Sequence, residues 1–385
     1  MEKSTRTLTI VGVVLLAIGL IAWIMQLTGG LLGGSNMTNI FLWGLMIAMF
    51  AFLVGFGAGS QFVASAIFLS GKEELKLLGK IAAACGLACV CAAGIAILAD
   101  LGAVRNAMAM IIGTNLRSPL AWDMIAMVTF IVISIIQLIM IARNAGSVKV
   151  WAALAGIAAL ALQIVEGLLF STQTAHGWWA TPLMPIDFVA VAFVSGFALI
   201  LLIGCVMKAP SNSLAWLGRI CAIAIAVHLV LALGDLALTA LEGTPESAGI
   251  LAALGSNIVL YLAELILPLI AMIMLFTRTK SGDNKYSLIA AILVIVGIFA
   301  HRLMLLFPAY NAPSLYLQLS GTDFTTGPYP LSTGRYLDWD WTFATASPYF
   351  PAGLEWLAAL LPVGLAIVAV IVILWVMKKI QKPQS

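Results

Sequence analysis

Apolar residues fall in long runs separated by short polar breaks. Runs long enough to cross about 30 Å of hydrocarbon lie at roughly 7–27, 38–70, 78–100, 120–142, 149–171, 182–207, 214–240, 248–276, 286–308 and 352–377. They predict ten transmembrane helices, several longer than the minimum, so tilt or protruding ends are expected. An even number of helices puts both termini on one side. The first run follows the charged start Met1–Arg6 and superficially looks like a signal peptide. It is too long for one and no small-residue cleavage site follows, so it predicts a retained helix.

The positions of the basic residues choose the side. With both termini cytoplasmic, the inner segments carry Lys3, Arg6, Lys72, Lys76, Lys80, Arg143, Lys149, Lys208, Arg219, Arg278, Lys280, Lys285, Lys378, Lys379 and Lys382. The outer segments carry only Arg105, Arg117 and Arg335, and Arg302 lies inside a helix. One missed helix would scramble that segregation, so it supports both the orientation and the helix count.

Composition agrees. Of 385 residues 63% are apolar and 9% charged, against about 25% charged in soluble domains. Mean hydropathy is +1.11. A soluble globular enzyme, a disordered chain, a coiled coil and a nucleic-acid binder are excluded, because a soluble fold could not hide so much apolar surface. The expected fold class is all-α, a polytopic integral membrane protein in a bacterial or archaeal cytoplasmic membrane, in contact with lipid. Cys85, Cys89, Cys91, Cys205 and Cys221 lie in apolar stretches with no metal-ligand spacing. They read as small buried core residues, and no iron–sulfur cluster is expected in this chain.

An internal repeat is visible. Ala51–Phe56 on the second predicted helix resembles Ala192–Phe197 on the sixth, an offset of 141 that also carries Asp123 onto Glu264. Predicted helices 2–5 and 6–9 then form two related four-helix bundles in parallel orientation. The chain divides into a flanking helix (1–37), a first bundle (38–175), a second bundle (176–308), an outer loop (309–351) and a flanking helix with a cytoplasmic tail (352–385). Residues 101–119, with Arg105 and Arg117, and 309–351, with Arg335, form the two long outer loops. A long outer loop suits docking of an extracytoplasmic partner; the other reading is a lid over the helix ends.

Ionisable residues inside a bilayer are functional candidates by default. They are Asp123, Glu166, Asp187, His228, Asp235, Glu264, His301, Arg302 and Glu355. Most fall in the outer third of their helices, with His228 and Glu264 nearer the middle and none deep in the inner half. The distribution describes a polar region opening to the outer face. Some of these charges could instead simply pair across helices or reach the interface, Asp235 and Glu355 above all. A quinone site needs an apolar groove, hydrogen-bonding groups at the head and a carboxylate or His that exchanges protons. Predicted helix 2 opens with Asn39 and Trp43 and helix 4 with Trp122 and Asp123, which meet that specification at one depth. A b-type haem needs axial His pairs, and His228 with His301 is the one pair within helices. Gly55, Gly57 and Gly59 follow no strand, so they read as a close helix-packing surface rather than a nucleotide loop.

Several strings resemble the NrfD/PsrC family of membrane subunits, in the ten-helix form of alternative complex III and related quinone-linked complexes. They are Trp43-Gly44-Leu45 leading into Gly57-Ala58-Gly59 and Ser65-Ala66; Arg117-Ser118-Pro119-Leu120-Ala121-Trp122-Asp123; Phe188-Val189-Ala190 followed by Ser195-Gly196-Phe197-Ala198; and Tyr349-Phe350-Pro351-Ala352-Gly353-Leu354-Glu355. They span predicted helices 2 to 10. The resemblance implies a quinone-interacting anchor, with menaquinone or ubiquinone as bound substrate and no haem or iron–sulfur cluster of its own. It implies a ferredoxin-like iron–sulfur partner on the extracytoplasmic side, wired to a molybdopterin catalytic subunit or a multihaem cytochrome. The implied quinone site is at the outer side of the first bundle, carried here onto Asn39, Trp43 and Asp123. His301-Arg302 stands where ten-helix relatives tend to show Glu-Arg, which changes the proton carrier there and puts proton translocation in question.

The sequence therefore points to a membrane subunit of a quinol dehydrogenase or quinone reductase. Asn39, Trp43 and Trp122 would frame the quinone head, and Asp123 would exchange its proton. Glu166, Asp187, Asp235, Glu264, His301, Arg302 and Glu355 would form a further polar cluster for proton transfer, and Arg105, Arg117 and Arg335 would dock the partner. A secondary transporter and a haem b quinol cytochrome are the competing readings.

Overall fold

The backbone follows the hydropathy pattern, with two informative departures. The computed structural model describes residues 2–29, 34–37, 43–101, 104, 108, 112–113, 115–174, 176–278, 284–311 and 349–381. Its helices are α1 (Glu2–Gly29), α2 (Leu45–Ser70), a 3-10 turn (Glu73–Leu75) leading into α3 (Lys76–Asp100), α4 (Pro119–Ala142), α5 (Val148–Ser171), α6 (Met184–Val206), α7 (Ser211–Glu242), α8 (Pro245–Ser256), α9 (Ile258–Arg278), α10 (Asn284–Asn311), α11 (Gly353–Ala358) and α12 (Leu360–Gln381). Ten spans are long and apolar enough to cross a membrane, with α11 and α12 counted as one. The protein is an all-α, multi-pass membrane protein.

The first departure is the start of α2. The apolar run begins near 38, yet the helix begins at Leu45, so Trp43 precedes the helix instead of opening it. The physical reason is that three successive backbone N–H groups are satisfied by side chains from elsewhere. Trp43 N donates to the Tyr310 hydroxyl at 3.0 Å, Gly44 N to Asp100 Oδ1 at 3.1 Å and Leu45 N to the Tyr349 hydroxyl at 2.8 Å. The donors a helix leaves open at its N-terminus thus find partners here. The second departure is the run 248–276, which breaks into α8 and α9. Thr244 caps α8: its hydroxyl accepts from Ser247 N at 3.1 Å while Thr244 N donates to the Ser247 hydroxyl at 3.0 Å, a capping box. Gly243, at φ +62°, ends α7 just before it. Glu264 consequently lies six residues into its own helix rather than at mid-span.

Packing repeats itself between the two halves. In the first bundle α2 contacts α3 and α5, α3 contacts α4, and α4 contacts α5; in the second, α6 contacts α7 and α10, α7 contacts α9, and α9 contacts α10. The halves meet through α2 against α6, flanked by α2–α10 and α5–α6 contacts that are equivalent under the repeat. The α1–α12 pair flanks them, with α12 resting on α3.

The glycines do what close packing requires. A Cβ on Gly59 would collide with Ala192 O and the backbone of Gly196, and one on Gly196 with the backbone of Gly59. Gly57 faces Val90 and Gly86 of α3, and Gly19 and Gly364 bring α1 and α12 into backbone contact. In lipid, where apolar burial gives little advantage, such small-residue crossings carry helix association. The outcome is a central α2, 94% buried over its most apolar stretch, against 17% for α1. Cys85, Cys89, Cys205 and Cys221 are buried, but Cys91 is exposed on α3, contrary to the expectation that all five are core residues.

Gly59→Val should cost about 3 kcal/mol or more through overpacking. Gly234→Ala, with no atom within 4 Å of its added Cβ, should leave thermal denaturation in detergent unchanged or slightly raised. Equal melting of the two variants would contradict the crossing. Tyr349→Phe should lower stability by about 1–3 kcal/mol in the same assay, because it strips the acceptor from Leu45 N.

Candidate functional site

The repeat brings its buried charges together at the junction of the two bundles. Arg302, on α10, is 0% exposed. Its guanidinium lies over the ring of Phe188, 4.3 Å from the centroid. Gly55 of α2 lies beside it: a Cβ there would be in ordinary contact with Arg302 Nη2 at 3.5 Å and Ser195 Oγ at 3.8 Å. The carboxylates whose charge reaches Arg302 are Glu166 from the first bundle and Asp187 and Glu264 from the second. Its three guanidinium nitrogens meet no hydrogen-bond partner among the described residues. The cation is therefore held by surrounding charge and an aromatic face rather than by a bidentate pair.

On the second-bundle side four helices converge. His228 Nδ1 of α7 donates to Asp187 Oδ1 of α6 at 2.8 Å. His301 of α10 lies between two carboxylates, with Nε2 3.2 Å from Asp187 Oδ2 and Nδ1 3.1 Å from Glu264 Oε1 of α9. The Asp187–His301–Glu264 group is thus a chain of facing proton donors and acceptors. It faces a narrow cleft of about 50 Å³, lined also by Asp235, Thr181, Trp178 and Tyr261, with room for a few waters. Asp235 accepts from the Thr181 hydroxyl at 2.6 Å.

On the first-bundle side, Asp123 of α4 is buried and lies within electrostatic reach of Glu166 of α5. Gln163 donates to Glu166 Oε2 at 3.0 Å. Asp123 Oδ1 and Glu166 Oε1 have no hydrogen-bond partner among the described residues. One turn beyond Glu166 on the same face of α5, Phe170 meets Trp43 edge-on at 5.4 Å, and Trp43 stacks on Trp179 at 5.4 Å. An aromatic collar of Trp43, Phe170, His176, Trp179, Tyr310 and Tyr349 thereby gathers at this end of the bundle. His176 Nδ1 donates to Ala309 O at 3.0 Å. Burial pushes its pKa down, partly offset by that carbonyl, and burial pushes the Tyr349 hydroxyl up.

The residues singled out in the sequence separate into groups. Asp123, Glu166, Asp187, Glu264, His301 and Arg302 form one connected set, and His228 joins it. Asp235 lines the adjoining cleft. Glu355 stands apart: it accepts from the Tyr349 hydroxyl at 2.9 Å and from Ala352 N at 2.6 Å, and so closes the start of α11. Trp122 is 51% exposed, with its indole N–H donating to Leu116 O at 2.9 Å, so it faces away from buried Asp123. Arg117 is exposed beside it. Asn39, Arg105, Arg335 and all but the ends of the loop 309–351 lie outside the described residues.

Sequence reasoning missed Asp100, because it ends an apolar run, and it missed the uncharged polar residues. Ser60, Gln61 and Ser65 of α2, Ser134 and Gln137 of α4 and Gln163 of α5 are all buried in the first bundle. Their spacing of four or five on α2 and three on α4 is the one signal that could have found them. His228 and His301 both turn a ring nitrogen to Asp187, with ring centroids 4.9 Å apart and planes at 82°. No porphyrin fits between them. Among the described residues no group of three or more His, Cys, Asp or Glu is arranged to hold a metal ion.

Comparison with known proteins agrees with this architecture. Residues 33–314 match the family model described as "Polysulphide reductase, NrfD". The chain is 30% identical over 245 residues to a putative dimethyl sulfoxide reductase membrane subunit of Halobacterium salinarum, covering 56% of each chain. The match thus spans little more than half the length of that relative. The chain is 22% identical over 343 residues to a selenate reductase subunit of Mesobacillus selenatarsenatis, covering 77% of this chain and 80% of the other.

Arg302→Met removes the shared cation and leaves buried carboxylates uncompensated, which should cost about 3–5 kcal/mol. Adding Glu166→Gln should recover part of that loss. Strictly additive losses in the double-mutant cycle, read by thermal denaturation, would refute the coupling.

Proposed function

Because this chain belongs to the NrfD family, we propose that it is the quinone-reacting membrane subunit of a respiratory oxidoreductase complex. It exchanges electrons between membrane quinol or quinone and an iron–sulfur subunit on its extracytoplasmic side, with both of its own termini cytoplasmic. Beyond that partner stands a catalytic reductase of the molybdopterin kind, the reading favoured by two relatives named as subunits of reductases. Menaquinone or ubiquinone is the substrate.

The observation that carries this reading is the connected set from Asp123 to His228, buried and biased to one end of the bundles. A quinol gives up two protons with its two electrons, so its oxidation site needs a base and a way out for protons. Asp123 supplies the base, with Oδ1 unshared by any described hydrogen bond. Glu166 and Asp187 lie on either side of Arg302, and the Asp187–His301–Glu264 group accepts the proton beyond it. The cleft beside Asp235 opens the route to the outer face. Trp43, in the collar above Glu166, bounds the quinone site, and Asn39 is expected to complete its wall, whereas Trp122 faces away from it. Protons and electrons leave on the same side, so the step is electroneutral.

The transporter reading needs helices broken at mid-height. Instead α9 continues through Pro268 as one helix, with the proline ring against Gly297.

Co-purification in mild detergent tests the assignment. An iron–sulfur protein should accompany the chain, and its absence would sink the electron-transfer reading. Asp123→Asn should abolish quinol-dependent reduction of the partner, by at least a hundredfold for a lost general base, while the complex still assembles. Full activity in that variant would refute the role of Asp123.

A further inference from the structure

At the end of the first bundle opposite the polar cluster, the α2–α3 and α4–α5 loops enclose a cavity of about 230 Å³. Both loops turn sharply, through Gly71 at φ +67° and Asn144 at φ +48°. Lys72, Lys76 and Lys149 line it, with one carboxylate, Glu73, which Lys76 already engages at 3.2 Å. Lys149 reaches across from α5, its Nζ 3.8 Å from where a side chain on Gly71 would begin. Lys72 Nζ lies 5.1 Å from the centroid of the Trp216 ring of α7, which anchors that side of the cavity to the second bundle. The floor is apolar, formed by buried Phe68 and Ile141. Leu77 and Val150, next in sequence to Lys76 and Lys149, are exposed at 58% and 60%.

We propose that this cavity holds the phosphate group of an anionic phospholipid. Three ammonium groups against one engaged carboxylate give it a net positive field suited to a phosphate. Its place at the helix ends is where phospholipid headgroups lie, and the exposed Leu77 and Val150 continue from it along the surface available to acyl chains. Basic pockets between membrane helices take up anionic headgroups by this combination. The basic residues segregate to the same end, so the site meets the cytoplasmic leaflet. A bound phosphate would bridge the two loops of the first bundle and, through Lys72, brace it against α7.

The test uses the delipidated full chain in neutral detergent, titrated with phosphatidylglycerol and followed by native mass spectrometry and thermal denaturation. Phosphatidylglycerol should form a retained adduct and raise the melting temperature; phosphatidylcholine should do neither. The Lys72→Gln/Lys149→Gln pair should weaken the adduct roughly thirtyfold, and Lys378→Gln/Lys379→Gln, the same charge loss at the end of α12, should not. Lys72→Arg and Lys149→Arg, which keep the charge, should retain binding, so a folding defect in the Gln pair cannot pass for a lost site. Equal binding of phosphatidylcholine, or equal loss in both Gln pairs, overturns the proposal. Stabilisation by millimolar inorganic phosphate without any lipid adduct would assign the cavity to free phosphate and overturn the lipid assignment.

Discussion

A guanidinium out of reach of water, with no hydrogen-bonded partner among the described residues, is among the most expensive things a membrane fold can contain. Arg302 is tolerable because it sits where both bundles contribute negative charge. The first bundle brings Glu166, and Asp123 behind it; the second brings Asp187 and Glu264, partly offset by His301. Each bundle alone would bury excess carboxylate, and the shared cation relieves both. That sharing goes with an approach of the α2 and α6 backbones closer than side chains permit, which Gly59 and Gly196 allow. The crossing and the electrostatics are therefore one constraint, and weakening either loosens the other.

A second constraint holds the end at which α2 begins. The chain before α2 donates three consecutive N–H groups to Tyr310, Asp100 and Tyr349, which come from α10, α3 and the segment before α11. Tyr310 also donates back to Trp43 O at 2.8 Å, and Tyr349 to Glu355. The aromatic collar is thus tied to the backbone through both tyrosines. Position, more than chemistry, distinguishes the two tyrosines from ordinary interfacial aromatics.

Much of this was legible in the residue pattern. The ten spans follow from hydropathy, a local property. Glycine spacing on α2 announced close packing, although not which neighbour each glycine meets. What was not legible depends on contacts distant in the chain. The late start of α2 is set by residues 56 to 304 positions away, against a continuous apolar run. The α8–α9 break was readable in Gly243 and in Thr244 through Ser247, but hydropathy averaging hides a capping box among apolar neighbours. Trp122 and Asp123 look like a unit in sequence; on a helix, adjacent positions diverge by about 100°, and here one faces outward while the other is buried.

The first bundle beyond Asp123 holds buried polar groups that carry no charge. Gln61 donates to Ser65 at 3.1 Å and Ser65 to Ala152 O at 2.7 Å, and Ser134 and Gln137 are buried on α4. Amides and hydroxyls can solvate a charge but do not hold a proton near neutral pH, whereas carboxylates and imidazoles do. On the proposed function, a proton released at Asp123 therefore meets sites that can retain it toward Glu166 and the second bundle, whereas toward Gln61, Ser65, Ser134 and Gln137 it meets neutral dipoles. The ordering of group types thus biases proton movement toward the second bundle, without any moving part, and the shared Arg302 lies at the step where the proton changes bundles.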